Sequence, residues 1–114
     1  MPKEITMRLT RQFVLDEKPL VICFNSHRQI YYVVTSRRVI SVVVASKYSM
    51  LTISSVLMID IVRIDEGLTN NLVGYNIYTA DQHHIGISIE EANELAFNFG
   101  SILYQVYNQS KQMG

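Results

Sequence analysis

Two histidines stand side by side at His83 and His84, a third lies at His27, and Cys23 is the only cysteine. Imidazole and thiolate are the side chains most used as metal ligands and nucleophiles, but their placement here argues against both roles. Neighbouring residues on a strand point to opposite faces, so His83 and His84 cannot chelate one ion together. One is expected to continue an inward row with Ile85 and Ile87 while the other faces solvent. His27 is remote, no carboxylate completes a ligand set, and one cysteine forms neither a CxxC pair nor an internal disulfide. Cys23 alternates with Val21 and reads as a small buried hydrophobe, with no histidine placed to activate it.

The carboxylates form no acid/base dyad. Asp65 and Glu66 precede Gly67 and read as a turn, while Glu90, Glu91 and Glu94 crowd the start of a helix, where the backbone dipole favours negative charge. Asp60 interrupts the aliphatic run Val56–Ile64, so it faces water or pairs with Arg63 or Arg38. No phosphate-binding loop, dinucleotide fingerprint or nucleophile elbow is present. The sequence therefore predicts no catalytic residue, no metal and no cofactor. The basic residues Arg28, Arg37, Arg38 and Lys47 lie near turns and read first as solvated charges. Arg37 and Arg38 belong to a different turn from Arg28, at the other end of an antiparallel meander.

These residues must be held by the elements around them. A chain of 114 residues is one domain, long enough to bury a core without metals or disulfides. At 48% hydrophobic it is too apolar for a disordered chain. Ten basic residues against ten acidic exclude nucleic-acid binding by bulk phosphate neutralisation. The first residues lack the apolar stretch of a signal peptide, and the longest apolar run is far short of the ~20 residues of a membrane span. A cytoplasmic protein is the expectation.

From Leu20 onward Val, Ile, Tyr and Thr recur in short runs separated by polar turns. Strands are expected over 20–25, 30–35, 38–45, 50–54, 56–64, 72–80 and 83–88, joined as antiparallel hairpins. The break at Ser54-Ser55 is the boundary least marked by composition. The period then changes. Ala92, Leu95, Ala96, Phe99, Ile102, Leu103 and Val106 form one apolar helical stripe, predicting a helix over 89–108. Ser88 and Glu91 have capping-box spacing at its start. Gly100 lies at the edge of the stripe, where close approach to the sheet could offset its low helix propensity.

Seven short strands followed by a C-terminal amphipathic helix is the element order of a pleckstrin-homology-like (PH-like) barrel. The segment Leu15-Asp16-Glu17-Lys18-Pro19-Leu20-Val21 resembles the acidic lead-in of bacterial PH-like domains. Tyr31-Tyr32-Val33-Val34-Thr35-Ser36-Arg37-Arg38-Val39-Ile40 is similar to their strand–turn–strand hairpin. Leu51–Val56 and the Ile87–Ala92 helix entry fit the same pattern. The resemblance covers residues 15–108 and implies a mainly β fold, a seven-stranded, strongly bent antiparallel barrel or sandwich capped by one helix. Residues 20–110 would form this domain and residues 1–19 an arm or extra element. It also implies a non-enzymatic module that binds lipids or proteins or assembles with itself. Inositol-phosphate recognition in PH domains uses several cations around the first hairpin, and here that loop supplies only His27 and Arg28.

Sidedness locates the surface such a module would use. The last two strands alternate apolar with polar, as a wall between core and water should. The middle strands do not. Ile40, Val42 and Val44 oppose Val39, Val43 and Ala45, and the strand with Tyr31 and the one over 56–64 are equally two-sided. One helix cannot cover the barrel interior and this outer face as well, and apolar patches of that size mark interfaces. Tyr31, Ile40, Val42 and Val44 are therefore the candidate interface with a second copy or another protein, unless residues 1–19 cover them. The alternative is a peripheral phospholipid site at Arg28, Arg37 and Lys47.

Overall fold

The computed structural model describes residues 2–45, 50–69, 72–90 and 94–113. Helix α1 spans Lys3–Thr10. Seven strands follow, β1 Pro19–Asn25, β2 Ile30–Thr35, β3 Arg38–Ala45, β4 Met50–Leu57, β5 Ile61–Thr69, β6 Leu72–Thr79 and β7 His84–Glu90, and helix α2 spans Glu94–Met113. The strands form two antiparallel meanders, β1-β2-β3-β4 and β5-β6-β7. A single 3-10 turn at Met58–Asp60 carries the chain from one sheet to the other. The sheets are also tied where Asn25 of β1 donates to the Ser88 carbonyl of β7 at 2.9 Å.

The main core lies between the sheets and under α2. Cys23, Tyr32, Val34 and Val39 of the first sheet meet Tyr75, Ile77, Ile87 and Ile89 of the second, and Phe99, Leu103 and Val106 of α2 close over them. The predicted helical stripe is thus the covered face of α2 at its described positions. At Gly100 helix α2 lies close against the second sheet: a methyl group there would overlap the hydroxyl of Tyr75.

Several boundaries differ from expectation, among them the end of α2, which runs to Met113 and not to 108. The strand break falls at the 3-10 turn rather than at Ser54-Ser55, so Asp60 sits exposed in that turn and not inside a strand. The turn shifts the phase of a stretch expected to be two-sided: Val56, Met58 and Ile61 are buried, while Leu57, Ile59 and Val62 are exposed. Next, Asp65, Glu66 and Gly67 continue β5 and pair with Asn76, Tyr75 and Gly74. An edge strand keeps one side open to water, so this polar, glycine-containing stretch remains in the sheet. Finally, β7 runs on to Glu90 because Ile85, Ile87 and Ile89 keep strand alternation, the last two fully inside the core. Ser88 is therefore a strand residue and not a helix cap; Glu91 and Ala92 lie outside the described residues.

Candidate interaction surface

Alternation along the first sheet sends Val34 and Val39 inward and Val33, Ile40 and Val42 outward, so the sheet carries apolar side chains on both faces. The register then assembles the outer set: Tyr31 pairs with Val42, Val33 with Ile40, Val42 with Ile53 and Val44 with Leu51. All four candidate interface residues meet in this one cluster. Its cover is α1. Ile5 and Leu9, one helical turn apart, are buried on Val33, Ile40 and Val42, while Phe13, Ile22, Tyr31, Val44, Leu51 and Ile53 form the rim.

The expectation of a bare outer face is corrected accordingly. Ile40 is 1% exposed and Val42 fully buried, because residues near the N-terminus lie over them. Tyr31 and Val44 at the rim remain half-buried. Beyond Tyr31 the apolar surface continues onto Phe24, whose ring lies 4.4 Å from that of Tyr31 and stays 42% exposed. The cover is slight for such a face. Helix α1 has eight residues, begins at Pro2 without a side-chain cap, and carries an exposed Glu4–Arg8 pair that contributes little.

The segment joining α1 to β1 is fastened by an ion pair. The Glu17 carboxylate, only 1% exposed, accepts from Arg38 Nε at 2.8 Å and Nη2 at 3.0 Å. It also accepts from the Thr35 hydroxyl at 2.6 Å and the Val14 amide at 3.1 Å. Thr35 Oγ1 in turn accepts the amides of Arg37 and Arg38, closing the β2–β3 turn. Burial pushes the Glu17 carboxyl up, but the hydrogen bonds from Arg38, Thr35 and Val14 outweigh it and hold it below its ordinary value. Arg38 also lies over the Phe13 ring, linking the clamp to the rim of the apolar face. This pair is the physical content of the acidic lead-in and the Thr-Ser-Arg-Arg hairpin. Asp60, expected as a possible partner of Arg38, takes no part.

The alternative anionic-ligand residues do not converge. Arg28 lies in the β1–β2 turn and Arg37 in the β2–β3 turn, at opposite ends of β2, and Lys47 lies outside the described residues. Arg37 instead borders a half-open groove of about 640 Å³ walled by Val14, Leu57, Ile59 and Val106. Sequence periodicity missed this groove because the 3-10 turn creates it.

The remaining candidates are structural. Both His83 and His84 are exposed, so neither continues the inward row. His84 stacks on Tyr78, and Arg63 lies over the same ring. Cys23 is 3% exposed, and burial pushes its thiol up to about 11. Among the described residues no three His, Cys, Asp or Glu side chains gather as a metal site would need, and no helix is long and apolar enough to cross a membrane.

No family model matches the chain, and no curated protein matches it. Among solved structures it is similar to the crystal structure of a pleckstrin homology domain from Shewanella amazonensis SB2B. The TM-score is 0.63 at 13% identity, covering 87% of this chain and 82% of that one. Two antiparallel sheets closed by a C-terminal helix, superposing on that domain over most of both chains, make the fold PH-like and mainly β.

Proposed function

We propose that this protein is a non-enzymatic, cytoplasmic PH-like module that acts by protein association, with itself or another protein, through the apolar outer face of its first sheet. The observation that carries the reading is that Tyr31, Ile40, Val42 and Val44 form one cluster sealed by only two side chains of a short helix. What that helix leaves open, exposed Phe24 beside half-buried Tyr31 and Val44, is an apolar rim on which a partner would dock. Light scattering across a wide concentration range tests it. Association is expected to grow with concentration and to weaken at least tenfold in Val44→Glu, which charges the rim without entering the main core. A chain that stays monomeric throughout and equals its variant would sink the reading.

A second reading, contact with a phospholipid surface, is favoured by Arg37 standing beside exposed Val14, Leu57 and Ile59. A cation flanked by aliphatic side chains suits an anionic headgroup above acyl chains. Co-sedimentation with phosphatidylglycerol vesicles that is lost in high salt and in Arg37→Glu would support it. Equal sedimentation of both proteins would discard it.

A further inference from the structure

We propose that α1 docks on the outer face of a second copy in place of that copy's own helix, so that two chains associate by reciprocal exchange of their N-terminal helices. The inference rests on the outer face being the association surface, and it names the occupant. The structure already displays that occupant. Ile5 and Leu9 fit Val33, Ile40 and Val42 within one chain, and an exchanged helix would make the same contacts with nothing new to build.

Three features favour exchange over permanent docking in cis. First, α1 has eight residues, fewer than the ~12–15 at which an isolated helix becomes even marginal, so it is helical because it is docked. Its release therefore forfeits the burial of Ile5 and Leu9 on Val33, Ile40 and Val42, which docking on a second copy restores. Second, the Glu17–Arg38 and Glu17–Thr35 bonds fix the base of the connecting segment to the barrel, and exchange would free residues 11–16 as a tether by giving up the contacts of Gln12, Phe13 and Val14 with Arg38 and Glu17. Fully extended, those six residues reach about 20 Å. That reach exceeds the ~10–12 Å diameter of a helix, so a released α1 can be laid on a copy alongside. Third, in cis the cover is incomplete, since Phe24 stays exposed beside Tyr31 at the rim. A second copy brought alongside would cover that rim, which one eight-residue helix does not.

The experiment compares full-length wild type with the double variant Ile5→Asp with Leu9→Asp, by light scattering and by binding of a fluorescein-labelled peptide of residues 2–13. Exchange predicts a wild-type dimer that grows with concentration. It predicts a monomeric double variant whose vacated face binds the peptide at least tenfold more tightly than wild type does, because wild type already holds its own helix. If the double variant associates more strongly than wild type, bare faces meet directly: the apolar-face reading stands and exchange is overturned. If wild type stays monomeric while the peptide binds the variant, the helix docks only in cis and exchange is again overturned. If wild type associates but the monomeric variant does not bind the peptide, exchange alone is overturned; if wild type also stays monomeric, both the reading and the inference fall. Leu9→Ala replaces the double variant, under the same outcomes, if circular dichroism shows the latter unfolded.

Discussion

Glu17 shows how one side chain can determine where a segment of chain is held. Its carboxylate is almost fully buried, and every contact it makes comes from a group fixed by the β2–β3 hairpin or by the turn at Val14. Removing one partner of a buried pair strands the other, at about 3–5 kcal/mol. Arg38 keeps some solvent contact and the Gln12 carbonyl, so Glu17→Gln is expected at the lower end of that range in urea denaturation. The sign with pH follows from the direction of the shift. The folded carboxyl lies below its unfolded value, so its contribution is complete above the ordinary carboxylate range near pH 4.3 and is lost as pH falls through the lower folded value. The gap between wild type and Glu17→Gln should be constant at neutral pH and narrow in acid; a gap that widens in acid would contradict the assignment. Cys23 gives a second test at this scale. Its buried thiol, pushed up to about 11, should resist iodoacetamide at neutral pH until the chain unfolds, as mass spectrometry of native and denatured samples would show.

At the scale of elements, α2 and the second sheet meet through Gly100 and Tyr75. Alanine normally improves a helix by about 1 kcal/mol over glycine. Here the added methyl would run into the Tyr75 hydroxyl, and overpacking of this kind costs about 1–3 kcal/mol. Gly100→Ala should therefore destabilise, and Tyr75→Phe in the same chain should recover part of the loss; a double-mutant cycle in denaturant measures the coupling. Position 100 was legible in the sequence as a glycine at the edge of an apolar stripe, although the side chain it admits was not. The same division runs through the fold. β1 to β3 follow short runs rich in Val, Ile and aromatic residues that are buried on both faces, and α2 follows Phe99, Ile102, Leu103 and Val106, because burial on one face of a helix imposes a period. Asp65-Glu66-Gly67 reads as a turn yet continues β5, since an edge strand relaxes that demand. Helix α1 offers only Ile5 and Leu9 as buried positions, too few to announce a period, and the sheet supplies the reason they are helical. The Glu17–Arg38 pair lay hidden because its members are 21 residues apart and only the tertiary fold selects Arg38 over its neighbours.

For the whole molecule, the first sheet is a wall between two cores of unequal standing. Val34 and Val39 face the main core, Val33 and Ile40 the small one under α1. Leu103 belongs to the first and Leu9 to the second, and both are essentially inaccessible to solvent. Buried Leu→Ala changes ordinarily cost about 2–5 kcal/mol. Leu103→Ala should fall within that range, because α2 cannot leave without opening the barrel. Leu9→Ala is limited differently. A short helix on a tether can undock while the barrel stays folded, so no substitution in it can cost more than its docking free energy. The double variant Ile5→Ala with Leu9→Ala should then cost scarcely more than Leu9→Ala alone, measured where the chain is monomeric. Full additivity of the two would show instead that α1 unfolds only with the barrel, and would remove the mobility that helix exchange requires.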